Sequence, residues 1–194
     1  MEDPPRLTPE QHFYPVYGRA LARWAQIEAA LCMIFGRTTG LKGRLAHDVF
    51  YSARSFQGRI AMLEATIPHA KTTPDGRKFL REASNLCRDY SVLRNALAHD
   101  IHVQTVGPDN GPSRFGFAIK ADRKTISVKD IERIRDNYLA LLNVLHSALP
   151  GRKLLPAPEL SLALIELLVA DPLKQGPSLS DLEPRLQEIE RHAL

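Results

Sequence analysis

Apolar residues return every three or four positions through most of this chain, and that period selects helices. It is clearest from Val16 to Phe35, where Tyr17, Leu21, Trp24, Ile27, Leu31 and Ile34 form one stripe. Trp24, Ile27 and Leu31 read as core. The period continues from Arg44 to Ile67 through Leu45, Val49, Phe56, Ile60, Leu63 and Ile67. That stretch reads as one or two helices, with a break around Ser52 to Gly58. Sandwiches and barrels want β-branched and aromatic residues. Aromatics are only 7% here, and Leu and Ala dominate the apolar set, which favours helices. With 194 residues, 44% of them hydrophobic, the chain is long enough to bury a core.

Local signals place the boundaries. Thr8-Pro9-Glu10-Gln11 is a helix start, with Thr as N-cap and Gln three residues on. Pro15 predicts a break or a second start, and Gly36 to Gly43 a loop. Thr73-Pro74-Asp75 opens a helix that runs to about His99. Beyond it, Ile101 to Val106 and Arg114 to Lys120 alternate around the turn cluster Gly107 to Pro112, which predicts a β-hairpin with a long loop. Ser127-Val128-Lys129-Asp130 opens another helix, with Ile131, Ile134, Tyr138, Leu141, Leu142 and Leu145 inside and Pro150-Gly151 as its stop. Arg152 to Pro158 is a basic linker. Two short amphipathic helices follow, about Glu159 to Ala170 and Leu182 to Ala193. The expected fold is all-α: an up-and-down helical bundle over residues 1–150, with a hairpin insertion at about 101–120. A linker and a C-terminal helical appendage occupy 151–194.

Several function classes fall away. Two cysteines, Cys32 and Cys87, make neither a disulfide framework nor a zinc ribbon, and read as buried in a reducing cytosol. The acidic, Pro-rich start Met1 to Pro5 is no signal peptide. The longest apolar run, Leu160 to Ala170, contains Glu166 and is too short to span a bilayer. A cytoplasmic protein without membrane association is expected. The net charge of +4 leans toward anionic partners, nucleic acid among them.

The helix ending at His99 carries more information. On a wheel, Phe79, Ala83, Leu86, Cys87, Tyr90, Leu93, Leu97 and Ile101 make its apolar stripe, and Arg94 falls inside it. A guanidinium on a buried face is costly unless it is paired or opens onto a polar site. Asn95 and His99, four apart, share a second face, whereas Arg94 and His99 are about 140° apart. Their convergence needs the helix edge, the helix end or a second subunit.

Arg94-Asn95-x-x-x-His99, late in a long helix of a bundle, resembles the R-x4-H motif of HEPN domains (higher eukaryotes and prokaryotes nucleotide-binding). The resemblance extends over roughly Val16 to Leu149. It implies a metal-independent ribonuclease of toxin–antitoxin or antiphage-defence type, dimeric, with RNA as substrate and an antitoxin or neighbouring defence protein as partner. Some members of that family only bind RNA, nucleotides or partners. A non-catalytic module binding nucleic acid or protein is therefore the alternative.

The residue chemistry is coherent with cleavage. Attack of an RNA 2′-OH on the adjacent phosphate needs a base, an acid for the leaving 5′-oxygen, and positive charge on the phosphorane. His99 suits either proton role near neutral pH. Arg94 offers a permanently charged fork to the phosphate. Asn95 orients the imidazole or binds phosphate. One motif supplies one imidazole and a two-fold homodimer supplies two. No cofactor and no metal are called for. Arg81 and Arg88 lie near the Asn95/His99 face and become RNA contacts under this reading. Arg114, Lys120, Arg123 and Lys124 make the hairpin a second basic surface.

Structural roles compete for the same residues. Arg94 can pair with a carboxylate such as Asp89 or Glu64. His99 can end its helix, favourable beside the C-terminal dipole. A metal held by His99 and His102 lacks further ligands. Cys87 sits on the apolar stripe, too far along the helix to serve as a thiol partner of His99.

Overall fold

In a computed structural model of the chain, residues 9–99, 102–105, 114–119, 124–149, 151, 154–168, 171 and 173–193 are described. Their seven α-helices are α1 (Pro9–Thr39), α2 (Gly43–Ser52), α3 (Phe56–Thr66), α4 (Pro74–His99), α5 (Val128–Ser147), α6 (Pro158–Ile165) and α7 (Leu179–Ala193). A single 3-10 turn, Ile67–His69, links α3 to α4.

The long helices are where the apolar period puts them. Trp24, Ile27, Leu31 and Ile34 of α1 are buried, with Tyr17 and Leu21 half-buried at its N-terminal end. α1 makes its most extensive contact with α5, whose Ile131, Ile134, Tyr138, Leu141, Leu142 and Leu145 are all buried. Trp24 anchors this seam. Its ring centroid lies 4.9 Å from Phe56 and 5.3 Å from Tyr138, and Tyr138 lies 5.8 Å from Tyr90. One aromatic cluster therefore ties α1, α3, α4 and α5 together, with tilted rings that suit the aromatic quadrupole. Local capping fixes the starts. Ser127 and Asp130 form a reciprocal capping box on α5, and Ser55 accepts from the Gly58 N–H on α3. At α4, Thr73 Oγ1 accepts from the Gly76 N–H.

Several boundaries differ from the sequence expectation. Pro15 does not break α1, which runs through it from Pro9 to Thr39. The missing N–H removes one helical hydrogen bond. Phe13, Val16 and Ala20 are buried on both sides of it, and Phe13 stacks on Tyr17, so packing outweighs the loss. Gly36 likewise belongs to α1, and only 40–42 separate α1 from α2. Leu45 is 58% exposed rather than buried; Ala46 and Phe50 turn inward from α2 instead. The break between α2 and α3 falls at 53–55. Thr8, Asp100, Ile101, the turn Gly107 to Pro112, Lys120, Arg123 and Pro150 lie outside the described residues.

The alternating segment after α4, where the pattern predicts a β-hairpin with a long loop, includes a third strand. Its backbone forms three short antiparallel strands in sequential order, β1 (His102–Thr105), β2 (Arg114–Ile119) and β3 (Lys124–Ile126). Phe117 is the pivot of the register, opposite His102 on one side and Ile126 on the other. β3 carries only three residues, too few for a periodic signal.

The C-terminal helices lie on the bundle. α6 packs against α4, and α7 against α5 and α6. Leu162, Leu164, Ile165, Leu182 and Ile189 are buried in the same core cluster as Trp24. Among the described residues no helix is long and apolar enough to cross a membrane.

Candidate functional site

α4 presents Arg94, Asn95 and His99 from its last turns. Tyr90, Leu93 and Leu97 are buried around Arg94, so the guanidinium leaves the helix through an apolar surface. Its side chain is 30% exposed, whereas Asn95 and His99 stand exposed on the neighbouring face. A second anchor holds this end of α4 to α1, where the Tyr17 hydroxyl donates to the Leu97 carbonyl at 2.8 Å.

The two terminal nitrogens of Arg94 engage different partners. Nη2 reaches Glu28 Oε1 of α1 at 3.5 Å, and Nη1 donates to Asn95 Oδ1 at 3.0 Å. The guanidinium thus bridges from the interior to the face that carries His99. Glu28 is the residue that sequence reasoning missed. It is only 9% exposed, and it accepts from Trp24 Nε1 at 2.6 Å and from Arg59 Nη1 of α3. Two cations and an indole N–H satisfy a carboxylate that is nearly out of water. Arg59 is fixed in turn: Nε donates to the Ala53 carbonyl, and its guanidinium lies 4.7 Å from the centre of the Tyr51 ring. The signal for Glu28 is present in the sequence. It is an acid flanked by Ile27 and Leu31 on the core stripe, four residues after the Trp whose N–H it takes.

The carboxylate that meets Arg94 is therefore Glu28, and neither Asp89 nor Glu64 fills that place. Glu64 belongs to Arg88, whose Nη2 donates to it at 2.6 Å. Arg88 thereby ties α4 to α3, whereas Arg81 is exposed. The side chains of Arg114 and Lys124, in β2 and β3, are not among those described.

Nothing near the motif offers a thiolate. Cys87 is fully buried, and burial pushes its thiol far above the usual range, so it stays protonated. Burial also raises Tyr90 and Tyr138, which remain phenols beneath Arg94, with the Tyr138 hydroxyl 3.4 Å from the Tyr90 carbonyl. Among the described residues no group of three His, Cys, Asp or Glu side chains is placed to hold a metal ion.

Within one chain Arg94 and His99 do not share a face. The motif supplies one cation anchored from below, one amide beside it and one exposed imidazole a turn further on. Compared with models of known families, with curated proteins and with solved structures, the chain finds no match.

Proposed function

We propose that this chain is a metal-independent endoribonuclease of HEPN type, acting as a homodimer. Its setting is a toxin–antitoxin or antiphage-defence system, with an antitoxin or neighbouring defence protein as partner. The observation that carries this reading is the split fork of Arg94: Nη2 held by buried Glu28, Nη1 turned to Asn95 beside exposed His99. A guanidinium fixed from behind keeps its remaining N–H groups preorganised for an anionic oxygen. Two such motifs, facing across a two-fold axis, bring two imidazoles to one phosphodiester. One takes the 2′-OH proton as the 2′-oxygen attacks phosphorus. The other gives a proton to the 5′-oxygen as the P–O5′ bond breaks. The products are a 2′,3′-cyclic phosphate and a 5′-hydroxyl. Arg94 neutralises the charge on the phosphorane, and Arg81 contacts flanking phosphates, with a smaller share from Arg88, which Glu64 engages.

The Glu28 contact also favours a second reading. In it Arg94 is a clamp between α4 and α1, and the exposed Asn95/His99 face binds nucleic acid or a protein without cleaving it. Purified protein, incubated with total RNA and defined oligonucleotides in EDTA, separates the two. Cleavage that leaves cyclic phosphate ends, lost in both Arg94→Ala and His99→Ala, establishes the ribonuclease. Intact RNA with folded wild-type protein, across varied substrates, removes it.

A further inference from the structure

Away from α4, a cleft of about 780 Å³ opens between α1, the 40–42 turn, α2 and the end of α5. No residue of α4 lines it. Its size is that of small-molecule sites. Ala29, Met33, Leu41, Ala46 and Leu149 give it an apolar wall, with Met33 half-exposed at 49%. Gly36 lets α2 come close, since a Cβ there would meet Ala46 Cβ at 3.1 Å and the Leu41 carbonyl at 3.2 Å. The charges are one-sided. Arg37 and Lys42 line the cleft beside the imidazoles of His47 and His146, and among the described residues no carboxylate does. Arg37 is fixed by donating to the Gly151 carbonyl at 2.8 Å. The acid next in sequence, Asp48, is already engaged by Arg44 at 3.4 Å and His47 at 3.3 Å. A second hollow of about 330 Å³ shares Ala29, Met33 and His146 with the cleft and continues along the α1–α5 seam, where Leu139 and Leu142 line it together with Arg23, Gln26 and Asn143.

We propose that this cleft binds a linear amphipathic anion, an aliphatic chain ending in a carboxylate. The apolar wall of Ala29, Met33, Ala46 and Leu149 takes the methylenes. Arg37 and Lys42, at the other end, take the head group through charge-assisted contacts. The flexible thioether of Met33 adapts the wall to the chain. This site stands independently of the ribonuclease reading, because none of its residues belongs to the Arg94 motif.

The test is titration calorimetry of the full chain with dodecanoate below its micelle concentration, beside dodecyltrimethylammonium, which has the same tail and a cationic head. Saturable one-to-one binding of dodecanoate is expected, about ten-fold or more tighter than the cation. The double charge reversal Arg37→Glu with Lys42→Glu weakens dodecanoate by a similar factor, and Met33→Trp blocks it. Circular dichroism checks the fold, and Met33→Ser, which removes apolar wall at an exposed position, replaces Met33→Trp if the latter does not fold. Absence of saturation, equal binding of the cationic amphiphile, or indifference to both the charge and the Met33 variants overturns the proposal.

Discussion

Arg94 of α4 and Glu28 of α1 meet with Nη2 and Oε1 3.5 Å apart, although 66 positions separate them in the chain. Because Glu28 also holds Arg59 and Trp24, one carboxylate joins three helices. The contact is long and Arg94 is partly exposed, so its own share is smaller than that of the Arg59 pair. Glu28→Gln keeps the shape and removes the charge, leaving two cations facing a neutral amide. Urea denaturation is expected to show a loss of about 2–4 kcal/mol, since one partner of a largely buried pair is gone. A double-mutant cycle should give the Glu28–Arg59 coupling as the larger and Glu28–Arg94 as about 1 kcal/mol or less.

RNA affinity tests how Arg88 is used. Its guanidinium already donates to Glu64 at 2.6 Å, while Arg81 is exposed. Under the proposed function, Arg81→Ala lowers the slope of log affinity against log salt by about 1. Arg88→Ala lowers it less and destabilises the α3–α4 contact instead. Filter binding across a salt series reads both. A larger salt effect for Arg88 would show that Glu64 releases it to phosphate.

Gly76, in the first turn of α4, should reverse the usual helical preference for alanine. An added Cβ would overlap Thr72 Oγ1 and lie 3.0 Å from Leu155 Cδ1. Leu155 is buried, with a φ of 51°, and its N–H donates to the Ala148 carbonyl, so it has little room to yield. Gly76→Ala is expected to cost about 1–3 kcal/mol by overpacking, where an open helical site would gain. Thr72→Ala should recover part of that loss in the double variant. Thermal denaturation of the three variants decides it.

His146 gives a pH dependence of known sign. Burial disfavours its charged form and sets its folded pKa below the ordinary 6.5. Between the folded and ordinary values the unfolded chain binds more protons, so stability rises with pH through that window. The contribution is fully present above the ordinary value and is lost as pH falls through the folded one. His146→Gln should flatten the stability profile just below pH 6.5. Proton NMR of the imidazole supplies the folded value, and a value above the ordinary one would reverse the expected slope.

Periodicity located the bundle because burial and helical geometry act on the same local pattern. Phe79 to Leu97 of α4, the inner face of α5 and the caps at Thr73 and Ser127 all follow from spacing over a few residues. Pro15 and Gly36 misled for the opposite reason. Their local preferences are worth a few kcal/mol at most, and packing on either side of them overrode it. Leu45 and Ala46 show the related error, a one-residue rotation of a short helix that only its neighbours fix.

The sequence by itself determined a helical bundle and singled out Arg94, Asn95 and His99, since an arginine on an apolar stripe demands a polar partner whatever the fold. Tertiary structure alone decided which partner. Glu28 is marked in the sequence only as an acid on the core stripe, and spacing does not say that it meets an arginine 66 positions away. The geometry of that pair is set by the way α1, α3 and α4 cross around Trp24, where core packing fixes distances that spacing cannot encode.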